Sequence, residues 1–247
     1  MSFIVAANWK LNKGPKEAES FFQEFLSGNE ALRSEFETLF FVPAVDLVTA
    51  NAFLEDTPVG WGPQNIYFED QGAFTGENSP AVMKDIGATH ALVGHSERRH
   101  IFKEADGDTF LKMKAAIRND LIPVLCVGET IEERKVGHTF DVLKRQLSGA
   151  LKEDVTTSLF HVAYEPVWAI GTGEVASPGQ VAEAHDFIYS WMAEHCPQAK
   201  GSKILYGGSV KPDNAGELSA VDHVGGFLVG GASLKVESFI DILKACR

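Results

Sequence analysis

The chain has 247 residues, 45% of them hydrophobic, and a formal net charge of −12 at pH 7. This length is enough to bury a substantial core, in one large domain or in two small ones. The acidic balance argues against nucleic-acid binding, because no basic patch offsets it. No window of about 18 uncharged apolar residues occurs in the sequence, which excludes a transmembrane helix.

The beginning of the chain and its cysteines indicate where the protein works. The first eight residues lack a basic n-region and run straight into a strand-like segment, so we expect no signal peptide. The three cysteines, Cys126, Cys196 and Cys246, are too few and too scattered for a disulfide framework or a zinc site. A reducing, cytoplasmic compartment is therefore expected.

Short apolar runs alternate with longer amphipathic stretches along the whole chain. Each run is rich in Val, Ile, Leu or Phe and is largely free of charge, which is typical of strands buried on both faces. The eight runs predicted as strands are residues 3–8, 39–42, 59–62, 90–94, 122–127, 160–164, 203–206 and 226–229.

The stretches between these runs predict helices. Residues 105–119 place apolar side chains at helical spacing, with charges on the other face. Ser177 before Pro178, and Pro212 before Asp213, are typical of helix starts. Strict alternation predicts parallel strands with right-handed crossovers. Eight units in about 250 residues match a single-domain α/β fold, the (β/α)8 barrel, with a doubly wound open sheet as the alternative.

One glycine-rich segment matches a cofactor motif and bears on that alternative. Residues 171–176 read G-x-G-x-x-A, the relaxed dinucleotide-binding pattern. The segment follows its strand after several residues rather than directly, and Pro178 opens the helix only later. We therefore do not interpret it as a dinucleotide-binding turn.

Unusual residues gather where the predicted strands end, which is where barrels of parallel strands carry their chemistry. A core needs none of these residues there, and together they supply a carboxylate, an imidazole, an ammonium group and two glycine-rich turns. The segments that end strands 1, 4, 5, 6, 7 and 8 are NWK at 8–10, GHSERR at 94–99, CVGE at 126–129, YEP at 164–166, YGGSV at 206–210 and VGGAS at 229–233.

With GAFTGE at 72–77 and AIGTG at 169–173, these segments resemble the triosephosphate isomerase family. The resemblance runs from end to end, with several blocks of six to ten residues in the family's order and spacing. It implies a TIM barrel that interconverts dihydroxyacetone phosphate and glyceraldehyde 3-phosphate without a cofactor. It also implies a homodimer, with Thr75 in a long loop that inserts beside the partner's active site.

The chemistry of aldose–ketose isomerisation fits two of these residues. A proton must leave a carbon next to a carbonyl, and the base must be a desolvated, well-placed carboxylate, which we predict to be Glu165. The developing enediolate needs hydrogen-bond donors, and His95 precedes a predicted short helix whose dipole keeps the imidazole neutral. A glutamate base and a neutral histidine are also the pair that the resemblance implies.

A cation is needed in this acidic chain to attract an anionic substrate. Lys10 is that charge, and Asn8, two residues earlier, points the same way along the strand. By resemblance, Lys10 contacts the substrate and pairs with Glu97, while Asn8 donates to a substrate oxygen. Glu97 is either a structural partner of Lys10 or part of the catalytic machinery.

Phosphate binding is expected from backbone amides rather than from arginines. Glycine lets the backbone approach a dianion closely, and a short helix near residue 232 adds its N-terminus. The residues predicted to bind the phosphate are Gly171, Ser209, Gly230 and Gly231.

The predicted lid runs from Pro166 to Ala176 and would exclude water from bound substrate. Tyr206 and Ser209 are candidates to hold it closed, and Glu129 with Trp168 to hold the other state. The family's lid usually ends in Lys-Thr-Ala, whereas residues 174–176 here read Glu-Val-Ala. This difference bears on the rate of lid closure and not on the chemical residues.

Other functions would require residues that the sequence lacks. A phosphosugar lyase or epimerase needs a Schiff-base lysine within a strand or a set of metal ligands, and an inactive homologue would have lost Glu165, His95 or Lys10. His90 and His100 flank His95, but they form no helical His-x-x-x-His pair. The sequence therefore predicts no metal site.

Overall fold

The computed structural model describes residues 2–28, 30–171 and 174–247, without the side chains of residues 153 and 154. Within those residues, eight parallel strands form a nearly closed barrel in the order β3-β2-β1-β8-β7-β6-β5-β4. The predicted (β/α)8 barrel is confirmed, and strand bounds differ from the predicted ones by at most three residues. The strands are β1 Phe3–Asn8, β2 Phe36–Val42, β3 Gly60–Pro63, β4 His90–Val93, β5 Ile122–Val127, β6 His161–Tyr164, β7 Ile204–Tyr206 and β8 Gly226–Val229.

The barrel closes where β3 approaches β4. The Thr89 N–H donates to the Trp61 carbonyl at 2.9 Å, and the Trp61 N–H donates to the Thr89 Oγ1 at 3.1 Å. Gly62 allows this approach, because a Cβ at that position would lie 1.8 Å from the His90 carbonyl oxygen.

The helices lie outside the barrel and connect its strands. Ser177 caps one of them, its hydroxyl accepting from the Gln180 N–H, and the predicted starts at Pro178 and Pro212 are confirmed. In the described residues, no helix has the length and apolar character needed to cross a membrane. The helices are α1 Pro15–Leu26, α2 Glu30–Glu35, α3 Leu47–Leu54, α4 Pro80–Asp85, α5 Ser96–His100, α6 Asp106–Arg118, α7 Ile131–Lys135, α8 Thr139–Ala150, α9 Pro178–His195, α10 Pro212–Ser219 and α11 Val236–Ala245.

Alternation along the strands decides which side chains enter the barrel. A larger apolar core packs between the strands and the helices, and a smaller one fills the barrel interior and includes Leu92 and Ala163. On β6 and just beyond it, His161, Ala163 and Glu165 therefore share the inner face. His161 lies at the amino end of the barrel and Glu165 at the carboxyl end.

Three buried histidines make the stability of the fold sensitive to acid. Burial, with a smaller effect from His161, lowers the pKa of His90 to about 3. Burial likewise lowers the pKa of His161 and of His185 to about 4. In the unfolded chain each ring titrates near pH 6.5, so the unfolded state takes up more protons below that pH. The stability contributed by the neutral rings is complete above about pH 7 and is lost as the pH falls.

We expect the free energy of unfolding to fall by roughly 4 kcal/mol per pH unit between pH 6 and pH 5, since three protons of difference each contribute about 1.4 kcal/mol per unit. Urea unfolding at a series of pH values and one protein concentration measures this slope. His185→Gln should reduce the slope by about a third, whereas exchange of the exposed His138 for Gln should leave it unchanged. A slope near zero for the wild type would contradict the neutral, buried state of these rings.

Candidate active site

A pocket of about 440 Å³ opens at the carboxyl ends of the strands. Its volume suits a small ligand. The structure brings together in its lining eight residues predicted from the sequence, which are Asn8, Lys10, His95, Glu165, Gly171, Ser209, Gly230 and Gly231.

The Glu165 side chain is the buried carboxylate of this pocket, with 2% of its surface exposed. One oxygen lies 3.0 Å from the His95 Nε2, and the other accepts the Ser96 backbone N–H at 2.8 Å. Burial alone raises the pKa of the Glu165 carboxyl, but His95, the Ser96 N–H and the charge of Lys10 together bring it below its ordinary value. The carboxylate is therefore ionised at neutral pH although it is removed from water.

His95 is oriented by the first turn of the helix that follows it. The residue precedes α5, and its Nδ1 accepts the Glu97 backbone N–H at 3.2 Å. An acceptor nitrogen carries no hydrogen, so in the neutral ring the proton is on Nε2, which donates to Glu165. In a neutral ring, this arrangement directs the Nε2–H into the pocket as a hydrogen-bond donor.

Lys10 supplies the positive charge of the site. Its Nζ lies 2.7 Å from a Glu97 carboxylate oxygen, and its backbone has a left-handed φ of 53°. That conformation is uncommon for a residue with a side chain. It is held by the Asn8 Oδ1, which accepts the Lys10 N–H at 3.0 Å, and by Gln64 Nε2, which donates to the Lys10 carbonyl at 2.9 Å.

Sequence reasoning missed Gln64, although a signal for it existed. Gln64 directly follows β3, the same strand-end position that singled out the predicted residues. Asn12 and Lys211 also line the pocket and were not predicted. They lie in loops beyond the strand ends, where polar residues are ordinary and carry no distinctive pattern.

Two glycines position the Glu165 backbone and stem. A Cβ at Gly128 would lie 1.7 Å from the Glu165 carbonyl oxygen, and one at Gly207 would lie 3.0 Å from the Glu165 Cγ. The Glu165 N–H donates to the Val127 carbonyl at 2.7 Å, which holds the ends of β5 and β6 together. Residues without side chains are thus required next to the carboxylate.

The opposite wall of the pocket consists largely of glycine backbone. Gly171 has a φ of 70°, in the left-handed region that favours glycine. A 3-10 turn follows β8 over Gly231–Leu234, and the Ser233 hydroxyl donates to the Gly230 carbonyl at 2.7 Å. The predicted short helix after strand 8 is confirmed in this form. A Cβ at Gly230 would lie 3.6 Å from the Lys10 Cε, so the lysine borders this wall.

The segment predicted as a lid is tied to the barrel at its first turn. Trp168 Nε1 donates to the buried Glu129 carboxylate at 3.0 Å, and the Tyr164 hydroxyl donates to the same group at 3.1 Å. Arg134 lies 3.1 Å from that carboxylate and 5.3 Å from the centre of the Trp168 ring. Sequence reasoning missed both Tyr164 and Arg134 as partners of Glu129.

The far end of the same segment meets Tyr206. Ala176 is buried, whereas Thr172 and Gly173 of the predicted lid lie outside the described residues. Burial raises the pKa of Tyr206 to about 12, an effect partly offset by the backbone of Ala176. Among the described residues, the buried Tyr206 hydroxyl has no hydrogen-bond partner of ordinary geometry.

The remaining predicted residues lie away from the pocket or only support it. Thr75 belongs to a stretch, residues 71–77, that is exposed throughout. Cys126 is buried inside the barrel, and burial raises the pKa of its thiol well above the usual value, as expected of a packing residue. His90 is buried at the start of β4, whereas His100 is exposed at the end of α5.

Comparison with known proteins gives the family. The family model described as triosephosphate isomerase matches residues 3–246. The chain belongs to the triosephosphate isomerase family. It is 49% identical to the triosephosphate isomerase of Bdellovibrio bacteriovorus, over 98% of this chain and 99% of that one. It is 44% identical to the enzyme of Chlamydia muridarum, over 98% and 90% of the two chains.

A solved triosephosphate isomerase shares the fold. The crystal structure of the enzyme from Bartonella henselae matches this chain with a TM-score of 0.89 and 39% identity, over 99% of each chain. The resemblance drawn from the strand-end segments is thus confirmed, and the protein is an isomerase.

Proposed function

We propose that this protein interconverts dihydroxyacetone phosphate and D-glyceraldehyde 3-phosphate through an enediolate, without a cofactor. The observation that carries the proposal is the buried, ionised Glu165 carboxylate, held 3.0 Å from the His95 Nε2 in a pocket that also contains Lys10. A base, a neutral proton donor and a cation are the three groups that this isomerisation needs.

Glu165 acts as the base. The carboxylate takes one of the two protons on C1 of the ketose. The electron pair of the broken C–H bond then forms the C1–C2 double bond, which leaves an enediolate with its charge on O2. The same carboxyl group then returns a proton to C2, which gives the aldose and restores the ionised base. Burial favours this step because no water shell has to be removed from the carboxylate first.

His95 moves the second proton between the two oxygens. As charge develops on O2, the ring transfers its Nε2 proton to that oxygen and is left for a moment as an imidazolate. Nε2 then takes the proton of the O1 hydroxyl, which moves the negative charge to O1 and restores the neutral ring. The hydrogen bond from the Glu97 N–H to Nδ1 at 3.2 Å supports a ring that is neutral before and after this transfer, and it stabilises the imidazolate between them. In the free site, the Nε2–H donates to Glu165, so substrate oxygens replace that partner on binding.

Lys10 and Asn8 stabilise the developing negative charge. The Lys10 ammonium is held by Glu97 at 2.7 Å at the edge of the pocket. Because the Asn8 Oδ1 accepts the Lys10 N–H, the amide NH2 of Asn8 is the group left to donate to a substrate oxygen. Glu97 positions the lysine in this scheme.

Phosphate is bound by the backbone wall of Gly171, Ser209, Gly230 and Gly231. Backbone N–H groups bring no full charge of their own, so the dianion also relies on Lys10 nearby. In a chain with a net charge of −12, this local arrangement provides the attraction that the protein as a whole does not.

The lid would close over bound substrate, exclude water and protect the enediolate from loss of phosphate. In the arrangement seen here, Trp168 donates to Glu129, and the Tyr206 hydroxyl has no hydrogen-bond partner of ordinary geometry among the described residues. Closure would provide partners for Tyr206 and Ser209 from the far end of the lid.

We expect Tyr206→Phe to lower kcat by about 5- to 10-fold, the equivalent of one hydrogen bond made only in the closed state. Thermal stability should change little, because the buried hydroxyl makes no hydrogen bond of ordinary geometry to the described residues. The assay compares isomerisation and phosphate release with those of Tyr189→Phe, which removes a half-exposed hydroxyl. If Tyr206→Phe and Tyr189→Phe isomerise the substrate at equal rates, Tyr206 does not contribute to lid closure.

The proposed assembly is a homodimer that operates in the cytoplasm. Residues 72–77, which include Thr75, are exposed, and in this proposal they reach the neighbouring subunit's active site. Sedimentation at micromolar concentration tests this, and a monomer would overturn it.

Turnover by the pure protein tests the proposed reaction. A coupled assay with glyceraldehyde 3-phosphate, run before and after treatment with a chelator, should show the same rate in both cases. No turnover would refute the isomerase proposal. Cleavage of the carbon chain, or loss of rate after chelation, would favour a lyase or an epimerase.

A further inference from the structure

A second group of ionisable side chains lies at the amino end of the barrel, opposite the Glu165 pocket. Glu37 on β2, His90 on β4 and His161 on β6 each offer a ligand atom, and these atoms all lie within 4.8 Å of one another. Side chains from alternate strands share one layer inside such a barrel, which explains why residues so far apart in the sequence meet here.

A neighbouring hydroxyl orients the His90 ring so that its Nε2 can act as a metal ligand. The Thr89 hydroxyl oxygen lies 3.2 Å from the Trp61 carbonyl oxygen and 2.8 Å from His90 Nδ1. When the hydroxyl donates to the carbonyl, it accepts the hydrogen of His90 Nδ1. The lone pair of the neutral ring is then on Nε2. A histidine ligand usually donates its other ring N–H to a neighbouring oxygen in this way.

The Nε2 of His90 is buried and unsatisfied within the part of the chain that the structure describes. His90 is 5% exposed, and in the described part of the chain its buried Nε2 has no hydrogen-bond partner. Nδ1 is turned towards β3, where a Cβ at Gly60 would lie 3.0 Å from it, which leaves Nε2 facing the barrel interior. A buried lone pair without a partner is costly unless something occupies the space in front of it.

We propose that Glu37, His90 and His161 form a zinc-binding site that joins β2, β4 and β6. Two imidazoles and a carboxylate, with water in the fourth position, are a ligand set that Zn²⁺ accepts. Three atoms no more than 4.8 Å apart lie within about 2.8 Å of a common centre, so each moves by less than about 1 Å to reach bonding distance. Binding of zinc here would contradict the sequence-based prediction of no metal site, which considered His90 and His100 but not Glu37 or His161.

Lys203 is the group that competes with the metal. Its Nζ lies 3.4 Å from a Glu37 oxygen, and its backbone N–H donates to the His161 Nδ1 at 3.1 Å. The ammonium also donates to the Ser2 carbonyl, so it keeps a partner if Glu37 turns to the metal. His161 must give up its bond to the Lys203 N–H, and we expect an affinity about 10- to 100-fold below that of a site with both rings preset.

The site is accessible from outside. The Glu37 side chain is 34% exposed at the rim of the barrel, whereas the two histidines are buried behind it. The ion therefore has an entry path past the carboxylate, which a buried metal site requires. The zinc lies at the opposite end of the barrel from the reaction and serves to stabilise the fold.

Titration calorimetry of the full-length protein with Zn²⁺, after removal of bound metal by a chelator, tests the proposal. We expect one ion per chain and a melting temperature that rises with Zn²⁺. Glu37→Gln should weaken binding at least tenfold, and His90→Gln should abolish it. The control is His138→Gln. His138 lies 3.0 Å from Asp141 on the surface, and such an exposed histidine–carboxylate pair is where zinc would bind adventitiously. This variant should bind zinc as the wild type does.

The outcomes separate this site from the alternatives. Circular dichroism without metal shows whether His90→Gln folds, and Glu37→Gln, at a partly exposed position, keeps the test valid if it does not. Zinc binding that survives Glu37→Gln, or that is lost in His138→Gln, would overturn the proposal, as would no binding. Binding that inhibits turnover but leaves the melting temperature unchanged would place the ion on His95 and Glu165 instead, and would also overturn it.

Discussion

Replacing Glu165 with aspartate is expected to lower kcat by on the order of 100-fold, with a much smaller change in KM, because a misplacement of about 1 Å costs that much in a reaction that depends on alignment. Aspartate keeps the charge and retracts the carboxylate by one methylene. The carboxylate then stands back from the carbon-bound proton, while the phosphate wall and Lys10 still bind the substrate.

Steady-state kinetics in both directions measure this effect. The control is Glu183→Asp, the same chemical change at an exposed position on α9, which should leave kcat and KM unchanged. A Glu165→Asp variant whose KM rises as much as its kcat falls would show that Glu165 binds substrate rather than acts as the base. An unchanged kcat in Glu165→Asp would show that Glu165 takes no part in the chemical step.

Gly128→Ala is expected to cost about 3 kcal/mol or more of folding free energy, at the upper end of the range for overpacking. The added methyl would meet the Glu165 carbonyl oxygen at 1.7 Å. No rotamer change relieves this contact, because the carbonyl belongs to the backbone and the position of the Cβ is fixed by it. The ends of β5 and β6 must therefore separate, and Glu165 moves with them. We also expect kcat to fall by at least about tenfold, since the base loses its alignment with His95.

The matched substitution is Gly107→Ala. A Cβ at Gly107, within α6, would meet nothing within 4 Å, and the change should be neutral or stabilise the protein by a few tenths of a kcal/mol to about 1 kcal/mol. Chemical denaturation and kinetics on both variants give the comparison. Similar stability and activity in Gly128→Ala and the wild type would mean that the contact between β5 and β6 is looser than the structure shows.

Local patterns in the sequence were sufficient to predict the architecture of the barrel. Buried parallel strands read as uninterrupted apolar runs, and the largest error in their bounds has a physical cause. β2 begins at Phe36, three residues before the predicted strand, because the charged Glu37 interrupts the apolar run. Glu37 belongs to the inner face at the rim of the barrel, where a charged side chain reaches both water and the buried histidines.

The pocket could be predicted to a similar degree because its residues occupy strand ends. A parallel barrel gathers all eight carboxyl ends on one face, so Lys10, His95 and Glu165 could be placed together without knowledge of any contact. Gln64 follows the same rule and was missed. Arg134 is a partner of Glu129 that no rule of position identifies, since it comes from a separate short helix.

The sequence alone was thus sufficient to predict the eight alternating strands and helices, the face that carries the candidate site and the family, since these depend on periodicity and on short segments. Tautomers, protonation and close approaches between strands follow from the folded barrel. The His95 Nε2 is directed to Glu165 because a backbone N–H occupies its other nitrogen. The His90 Nε2 has no partner in the described part of the chain, and Thr89 contacts the other nitrogen of that ring. Such states depend on desolvation and on contacts across the barrel, which residues distant in sequence acquire only when the barrel closes.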